Sequence, residues 1–227
     1  LGIIKARVLH TAGIGESMLD DLIGRSLLEA SNPTVGLAAH NGQVDVRITA
    51  KADREADADV LINGFEDELR KRIGKYVFGA DSDTLDEVLR SVLAKLNASV
   101  SIVDAGLNGV LSTTLGPTVA QSTLYESPDV LRAALKLPDA TLRQLTEAAA
   151  ENQLQLTGSV VSIAVASLPD VEESEDAAEG TAVTVRMGDT VRTRVYGFGA
   201  RSELVRSWIK TWSLAQAWWL LRDSVHE

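Results

Sequence analysis

The sequence predicts two domains in series, a small α+β unit over residues 1–80 and an α/β unit over residues 81–227. Asn32 to Lys51 holds a hairpin pattern centred on Asn41-Gly42, set between two stretches of helical apolar spacing. A fresh apolar stripe begins at Leu85, and buried-type strands follow at Val100–Val103 and Ser159–Ser167. Charge shifts at the same place. Residues 1–80 carry 10 basic and 12 acidic side chains, and the remainder carries 12 against 20.

In order, Ile3 to Leu9 reads as a strand, and Gly13 and Gly15 turn the chain into a helix capped near Ser17. Met18, Leu22, Ile23 and Leu27 keep helical spacing until Asn32-Pro33. A two-residue loop at Asn41-Gly42 pairs His40 with Gln43 and sets Ala39, Leu37 and Val35 opposite Val44, Val46 and Ile48. Asp53 is read as the cap of the next helix, which runs through Ala58, Ile62, Phe65, Leu69 and Ile73 to a left-handed Gly74. Tyr76 to Phe78 is a short strand. Strand, helix, two strands, helix, strand describes a sheet with helices on one face.

The second domain opens with a helix through Leu85, Val88, Leu89, Val92 and Leu96. The strand at Val100–Val103 leads through the turn Asp104 to Gly109 into a short helix that Gly116-Pro117 stops. Pro128 to Leu156 is mostly helical, interrupted at Pro138 and recapped by Asp139. Leu168 to Gly180 holds six acids and reads as a solvated loop. A second hairpin joins Thr181–Met187 to Thr190–Phe198, with the three-residue loop Gly188 to Thr190 preferred over a two-residue one that sets Val185 opposite Arg192. The last helix, from about Arg201 to Asp223, carries all four tryptophans, at a spacing that indicates core or a subunit interface.

The net charge of −10 disfavours phosphate backbones, so no nucleic-acid partner is expected. There is no cysteine, which excludes disulfides, thiolate metal sites and a cysteine nucleophile. No apolar run approaches the roughly 18 to 20 residues of a membrane span. No membrane partner is expected, and a cytoplasmic location fits. Leu1 begins within a strand, so the sequence reads as a fragment of a longer protein.

Few residues carry chemistry. Gly13-Ile-Gly15 reads better as a turn than as a phosphate cradle. Gly106-Leu-Asn-Gly109 has the Gly-x-x-Gly form of nucleic-acid-clamping loops but lacks basic neighbours. His10, His40 and His226 are scattered without metal-ligand spacing, so each is expected to face solvent and no metal or cofactor is expected. Ser17, near Glu16 and Asp20, reads as a helix cap in preference to a nucleophile.

Ordered motifs add more. Gly13-Ile-Gly-Glu-Ser17, Asn32-Pro-Thr-Val-Gly36, Val44-Asp-Val-Arg-Ile-Thr-Ala50, Arg72-Ile-Gly-Lys-Tyr-Val-Phe-Gly79 and Asp83-Thr-Leu-Asp-Glu-Val88 resemble the competence/damage-inducible CinA family. The resemblance implies a KH-like middle domain over residues 1–80 and, over 81–227, the family's α/β C-terminal domain, a central sheet flanked by helices. In the family a domain resembling molybdopterin-biosynthesis proteins precedes these two.

Active members of that C-terminal domain are amidases that release ammonia from nicotinamide mononucleotide. This sequence departs from their motifs. Where the family has Glu-Ser-Cys-Thr-Gly-Gly, the chain has Asp104-Ala-Gly-Leu-Asn-Gly109, so Ala105 stands at the serine nucleophile. Tyr125-Glu-Ser-Pro-Asp-Val130 keeps the tyrosine of the Tyr-Ser-Asn-Glu-x-Lys stretch and puts Val130 at the lysine. The Thr-Gly-x-Ala-Gly-Pro turn has become Ala166-Ser-Leu-Pro-Asp170. Gly180-Thr-Ala-Val183 and Phe198-Gly-Ala-Arg-Ser-Glu203, with Arg206, survive as framework.

The resemblance therefore implies a pseudoenzyme with no catalytic residues. Asp104, Ala105, Asn108, Gly109, Tyr125 and Arg201 would line a degenerate pocket for a nucleotide-like small molecule. The expected role is structural, oligomeric or ligand-sensing, in a homo-oligomer such as a dimer built through the hairpin face and the tryptophan helix. Two other readings stand beside it. One is a working amidase using Ser112 or Ser127 near Tyr125, and the other is an RNA-binding KH-like module.

Overall fold

Asn41 and Gly42 both take positive φ, 46° and 79°, and close a two-residue turn between β2 (Thr34–His40) and β3 (Gln43–Ala52). His40 pairs with Gln43, Ala39 with Val44, Leu37 with Val46 and Val35 with Ile48, as the alternation predicts. In the computed structural model, which describes residues 2–169 and 179–222, the hairpin belongs to the first of two units, Leu1–Val88, and the second is Leu89–Glu227.

In the first unit β1 (Ile3–Thr11) runs antiparallel between β3 and β4 (Val77–Ala80), giving the sheet order β2-β3-β1-β4. Three helices cover one face: α1 (Glu16–Ile23), α2 (Arg25–Leu28) and α3 (Glu55–Ile73). Leu9, Val46 and Ile48 of the sheet meet Leu19, Ile23, Ile62, Leu69 and Ile73 of the helices in one core, each side chain contributing about 2 kcal/mol through burial. Glu66 is buried among them with its charge paired. Arg7 bonds one carboxylate oxygen, and Arg70 Nε bonds the other at 2.7 Å. The opposite face of the sheet is open, with Ile4 70% exposed and Ala6, Gly36, Ala38 and Arg47 also facing solvent.

The element order predicted for this unit is the one found, but its helix ends differ. Gly15, in extended geometry, is the N-cap of α1 and offers no side chain, so Ser17 sits inside the first turn. Gly24 breaks the predicted continuous helix into α1 and α2. Arg54, and not Asp53, precedes α3. Gly74 is right-handed, because the chain tightens into a 3-10 turn over Gly74–Tyr76 that delivers it straight into β4.

The boundary between the units falls within α4 (Leu85–Lys95). The second sheet has the order β6-β5-β7-β8-β9, from β5 (Val100–Ala105), β6 (Val119–Tyr125), β7 (Val161–Ser167), β8 (Thr181–Met187) and β9 (Thr190–Tyr196). β5 is parallel to both neighbours, and β7, β8 and β9 are antiparallel. Every residue of β5 and β7 is buried, as central strands covered on both faces require. α7 (Leu142–Thr157) lies on one face, where Thr146 Oγ1 meets Thr184 Oγ1 at 2.8 Å. α8 (Glu203–Leu221) lies on the other, where Trp212 stacks on Tyr196 at 4.8 Å.

This unit adds one strand that the sequence does not announce and corrects two expectations. β6 had no apolar run to announce it, because an edge strand keeps most of its side chains in solvent. Pro128 to Leu156 forms α6 (Pro128–Leu135) and α7, interrupted around Pro138 as predicted, but Thr141 caps the second in a box with Gln144, leaving Asp139 outside. The second hairpin uses the two-residue loop Gly188-Asp189, so Val185 does pair with Arg192. The arginine is tolerated on a covered face because its guanidinium packs over Trp219, 5.3 Å from the ring centre. A hydroxyl ladder, Thr184 to Thr193 at 3.0 Å, holds the same register from the other face. Most of the acidic loop, residues 170–178, lies outside the described residues; among them no helix is long and apolar enough to cross a membrane.

Gly42→Ala forces an L side chain into left-handed φ and is expected to cost the first unit roughly 1–2 kcal/mol, read as a lower urea midpoint. Gly36→Ala, whose added Cβ meets nothing within 4 Å, is the control and should leave the midpoint in place.

Candidate functional site

An α/β sheet binds its ligands where successive crossovers leave toward opposite sides. Here that place lies between the carboxyl ends of β5 and β7. From β5 the chain passes through α5 (Val110–Leu115) to β6, and from β6 it returns through α6 and α7 to β7 on the far side of β5. Five of the six predicted pocket residues, Asp104, Ala105, Asn108, Gly109 and Tyr125, lie at this end.

Asp104 is buried at 1% exposure and folds the turn around itself. Its Oδ1 accepts the Leu107 N–H and its Oδ2 the Gly109 N–H, both at 2.7 Å. Burial pushes this carboxyl above its usual value, while the N–H groups of Leu107, Gly109 and Gly106 pull it back. Ala105 is fully buried, in register with Tyr125 on one side and Ala166 on the other. Tyr125 packs against the same apolar cluster, which includes Val103, Ala105 and Leu131. Gly109 is the left-handed cap of α5. Asn108, also left-handed at φ 58°, points its side chain to solvent.

Main chain fills the crevice beside them. A Cβ added to Gly106 would lie 2.5 Å from the Ser167 carbonyl oxygen, and one on Gly199 would lie 1.5 Å from that of Leu168. Hydroxyls lock this packing. Thr181 Oγ1 donates to the Phe198 carbonyl at 2.8 Å, so at the 2.6 Å contact between Ser167 and Thr181 it is Ser167 that donates. Ser167 Oγ in turn accepts the Ala200 N–H at 2.9 Å. Arg201 follows Ala200, on the exposed side of that lock. Val130 is 44% exposed on α6.

Sequence reasoning missed Ser167 and Thr181. Their only signal was two hydroxyl residues at facing strand ends. The proposed alternative nucleophiles serve helix ends: Ser112 Oγ donates to the Gly109 carbonyl at 2.9 Å, and Ser127 caps α6.

A second polar cluster lies in the first unit. His10 and His40 share Asp45, with His10 Nδ1 2.7 Å from Oδ1 and His40 Nε2 2.8 Å from Oδ2. His10 Nε2 also faces the Asp81 carbonyl at 2.9 Å, and the ring stacks on Phe78. His10 is therefore drawn in between β3 and β4, contrary to the expectation that it faces solvent; His226 lies outside the described residues. Both ring nitrogens meet acceptors, which only the imidazolium satisfies. Burial opposes that charge, but the Asp45 bond, the Asp81 carbonyl and the charges of Asp45 and Asp83 outweigh it, raising the His10 pKa. Among the described residues no group of three or more acidic, histidine or cysteine side chains could hold a metal ion.

Residues 6–79 match the family described as damage-inducible protein CinA KH domain. A CinA-like protein of Dictyoglomus thermophilum is 35% identical over 114 residues, 50% of this chain and 28% of that protein. One from a Synechococcus strain is 34% identical over 180 residues, 74% of this chain and 42% of that protein. The chain thus spans less than half the length of these relatives. Among solved structures, a competence-damaged protein (CinA) superfamily protein from Escherichia coli superposes with a TM-score of 0.51 at 18% identity, covering 66% of this chain and 98% of that one. A competence or damage-inducible protein from Enterobacter asburiae gives 0.50 at 18%, covering 63% and 99%. At such identities the likeness is one of fold.

Because the folded His10 pKa lies above the ordinary 6.5, its stabilisation is complete below that value and is lost as pH rises through the raised one. The first unit is expected to lose urea resistance on going from pH 6 to pH 8, while His10→Gln is expected to abolish most of that slope. A titration of the His10 ring by NMR with a midpoint at or below the ordinary value would contradict this.

Proposed function

From a chain that belongs to the CinA family of competence/damage-inducible proteins, we propose a non-catalytic module, a KH-like unit followed by an amidase-like unit that keeps the fold without the reaction and serves structure, oligomerisation or ligand sensing. The observation that carries this reading is the filled crevice between β5 and β7. At the position matching the family's nucleophile stands Ala105, with no lone pair to attack an amide and no exposed surface. The turn that would admit a substrate phosphate is occupied by the backbone of Gly106, Ser167, Leu168 and Gly199.

The alternatives draw less support. For an amidase acting on nicotinamide mononucleotide, Ser112 and Ser127 would have to leave their helix ends. For RNA binding, the KH-like unit over residues 1–80 would need a Gly-x-x-Gly loop to clamp the backbone, its sequence has none, and the net charge of −10 repels phosphate. A small nucleotide-like ligand, if sensed, would meet Asn108 and Arg201, the exposed members of the set. The setting we propose is cytoplasmic.

Self-association is part of the proposal. The tryptophan helix is taken up within its own unit, with Trp218 buried and Trp212 stacked on Tyr196. The surface that remains for a second copy is the open sheet face around Ile4, Ala6 and Ala38.

Incubated with nicotinamide mononucleotide beside an active family member, the chain is expected to release no ammonia above a protein-free blank. Turnover above the blank would overturn the non-catalytic reading. Sedimentation at micromolar concentration is expected to show a species larger than the monomer, and a strict monomer would remove oligomerisation from the proposal.

A further inference from the structure

We propose that the free edge of β9 is a docking strand for an extended acidic peptide, which adds to the sheet and sets carboxylates at alternate positions against Arg192 and Arg194. Among the described residues β9 ends the sheet, so alternate backbone N–H and C=O groups along it point away from β8. Its sequence, Thr190-Val-Arg-Thr-Arg-Val-Tyr196, is rich in residues that favour extended chain and has none of the proline or glycine that would blunt an edge.

Charge selects the partner. Arg192 and Arg194 alternate on the face that meets α8, and among the described residues neither is paired with a carboxylate. The Arg192 guanidinium packs over Trp219, and its Nε is buried without a hydrogen-bond partner. Burial, then repulsion from Arg194 and Arg222, pulls the Arg192 pKa below its usual value. Like charges held together in a half-dry place gain most from an arriving anion.

The other side of the edge sets the rest of the pattern. A groove of about 480 Å³ runs between α7 and the β8–β9 hairpin, lined in part by Val191 and Thr193. Its charges are already matched, Arg143 with Glu147 and Arg186 with Glu151, each pair at 3.6 Å. The strand that fits carries acids at every second position and small neutral side chains between them. A second copy of β9 fits worse, since registers that keep the arginine faces together set arginine opposite arginine.

The test uses the full chain and a capped heptapeptide, Thr-Glu-Val-Glu-Val-Glu-Thr, followed by calorimetry and by tryptophan emission, which Trp219 beneath Arg192 reports. The acidic peptide is expected to bind at least about tenfold more tightly than its Glu-to-Lys counterpart, and Arg194→Glu, at an exposed position, should weaken it by about as much. N-methylation of alternate peptide bonds should abolish binding. Equal affinity for the two peptides, indifference to Arg194→Glu, or indifference to N-methylation would each overturn the proposal. So would a β9-to-β9 dimer with which the peptide does not compete.

Discussion

The hydroxyl proton of Ser167 decides the shape of the carboxyl end of the second sheet. It goes to Thr181, because Thr181 has given its own to the Phe198 carbonyl and Ala200 has filled a lone pair on Ser167. Three segments far apart in sequence are joined by this one short relay. With them fixed, Ser167 stays against Gly106 and Leu168 against Gly199, and the Asp104 turn has a wall to close against. In a buried place such a network is stable only because every member is satisfied.

The first unit solves a different problem. Its sheet is covered on one face only, and the charged side chains of β1 that point toward α3 are matched there: Lys5 with Glu55 and Asp59, Arg7 with Glu66. The longest helix is thereby seated by an apolar row and a charged row together. The opposite face keeps small residues, and its polar anchor is Asp45, bridging two histidines from neighbouring strands.

How much of this was legible follows from which forces are local. The Asn41-Gly42 hairpin was readable down to its register because turn chemistry and alternation agree over twenty residues. Helix caps were misread wherever a plausible cap residue stood one or two positions from the actual bend, as at Ser17, Asp53 and Asp139. The second hairpin was misread from the assumption that an arginine avoids a covered face, and nothing in β9 foretells a tryptophan almost thirty residues later. The same holds for the site. The Asp104 to Gly109 turn could be seen in the sequence, but the partners of Ser167, and the meeting of His10 with Asp45, depend on strand pairings that no short stretch encodes.

The close approach of Gly199 to Leu168 has a consequence for mutational reach. A missing hydroxyl is one replacement away from return, because a side chain can be exchanged without moving its neighbours. Space occupied by main chain has no such route. No side chain stands there to be trimmed, and any residue larger than glycine at position 199 collides with the Leu168 carbonyl. Opening the crevice would require the main chain at Leu168 and at Gly199 to part, so the closed form is one that single substitutions sample around but do not leave.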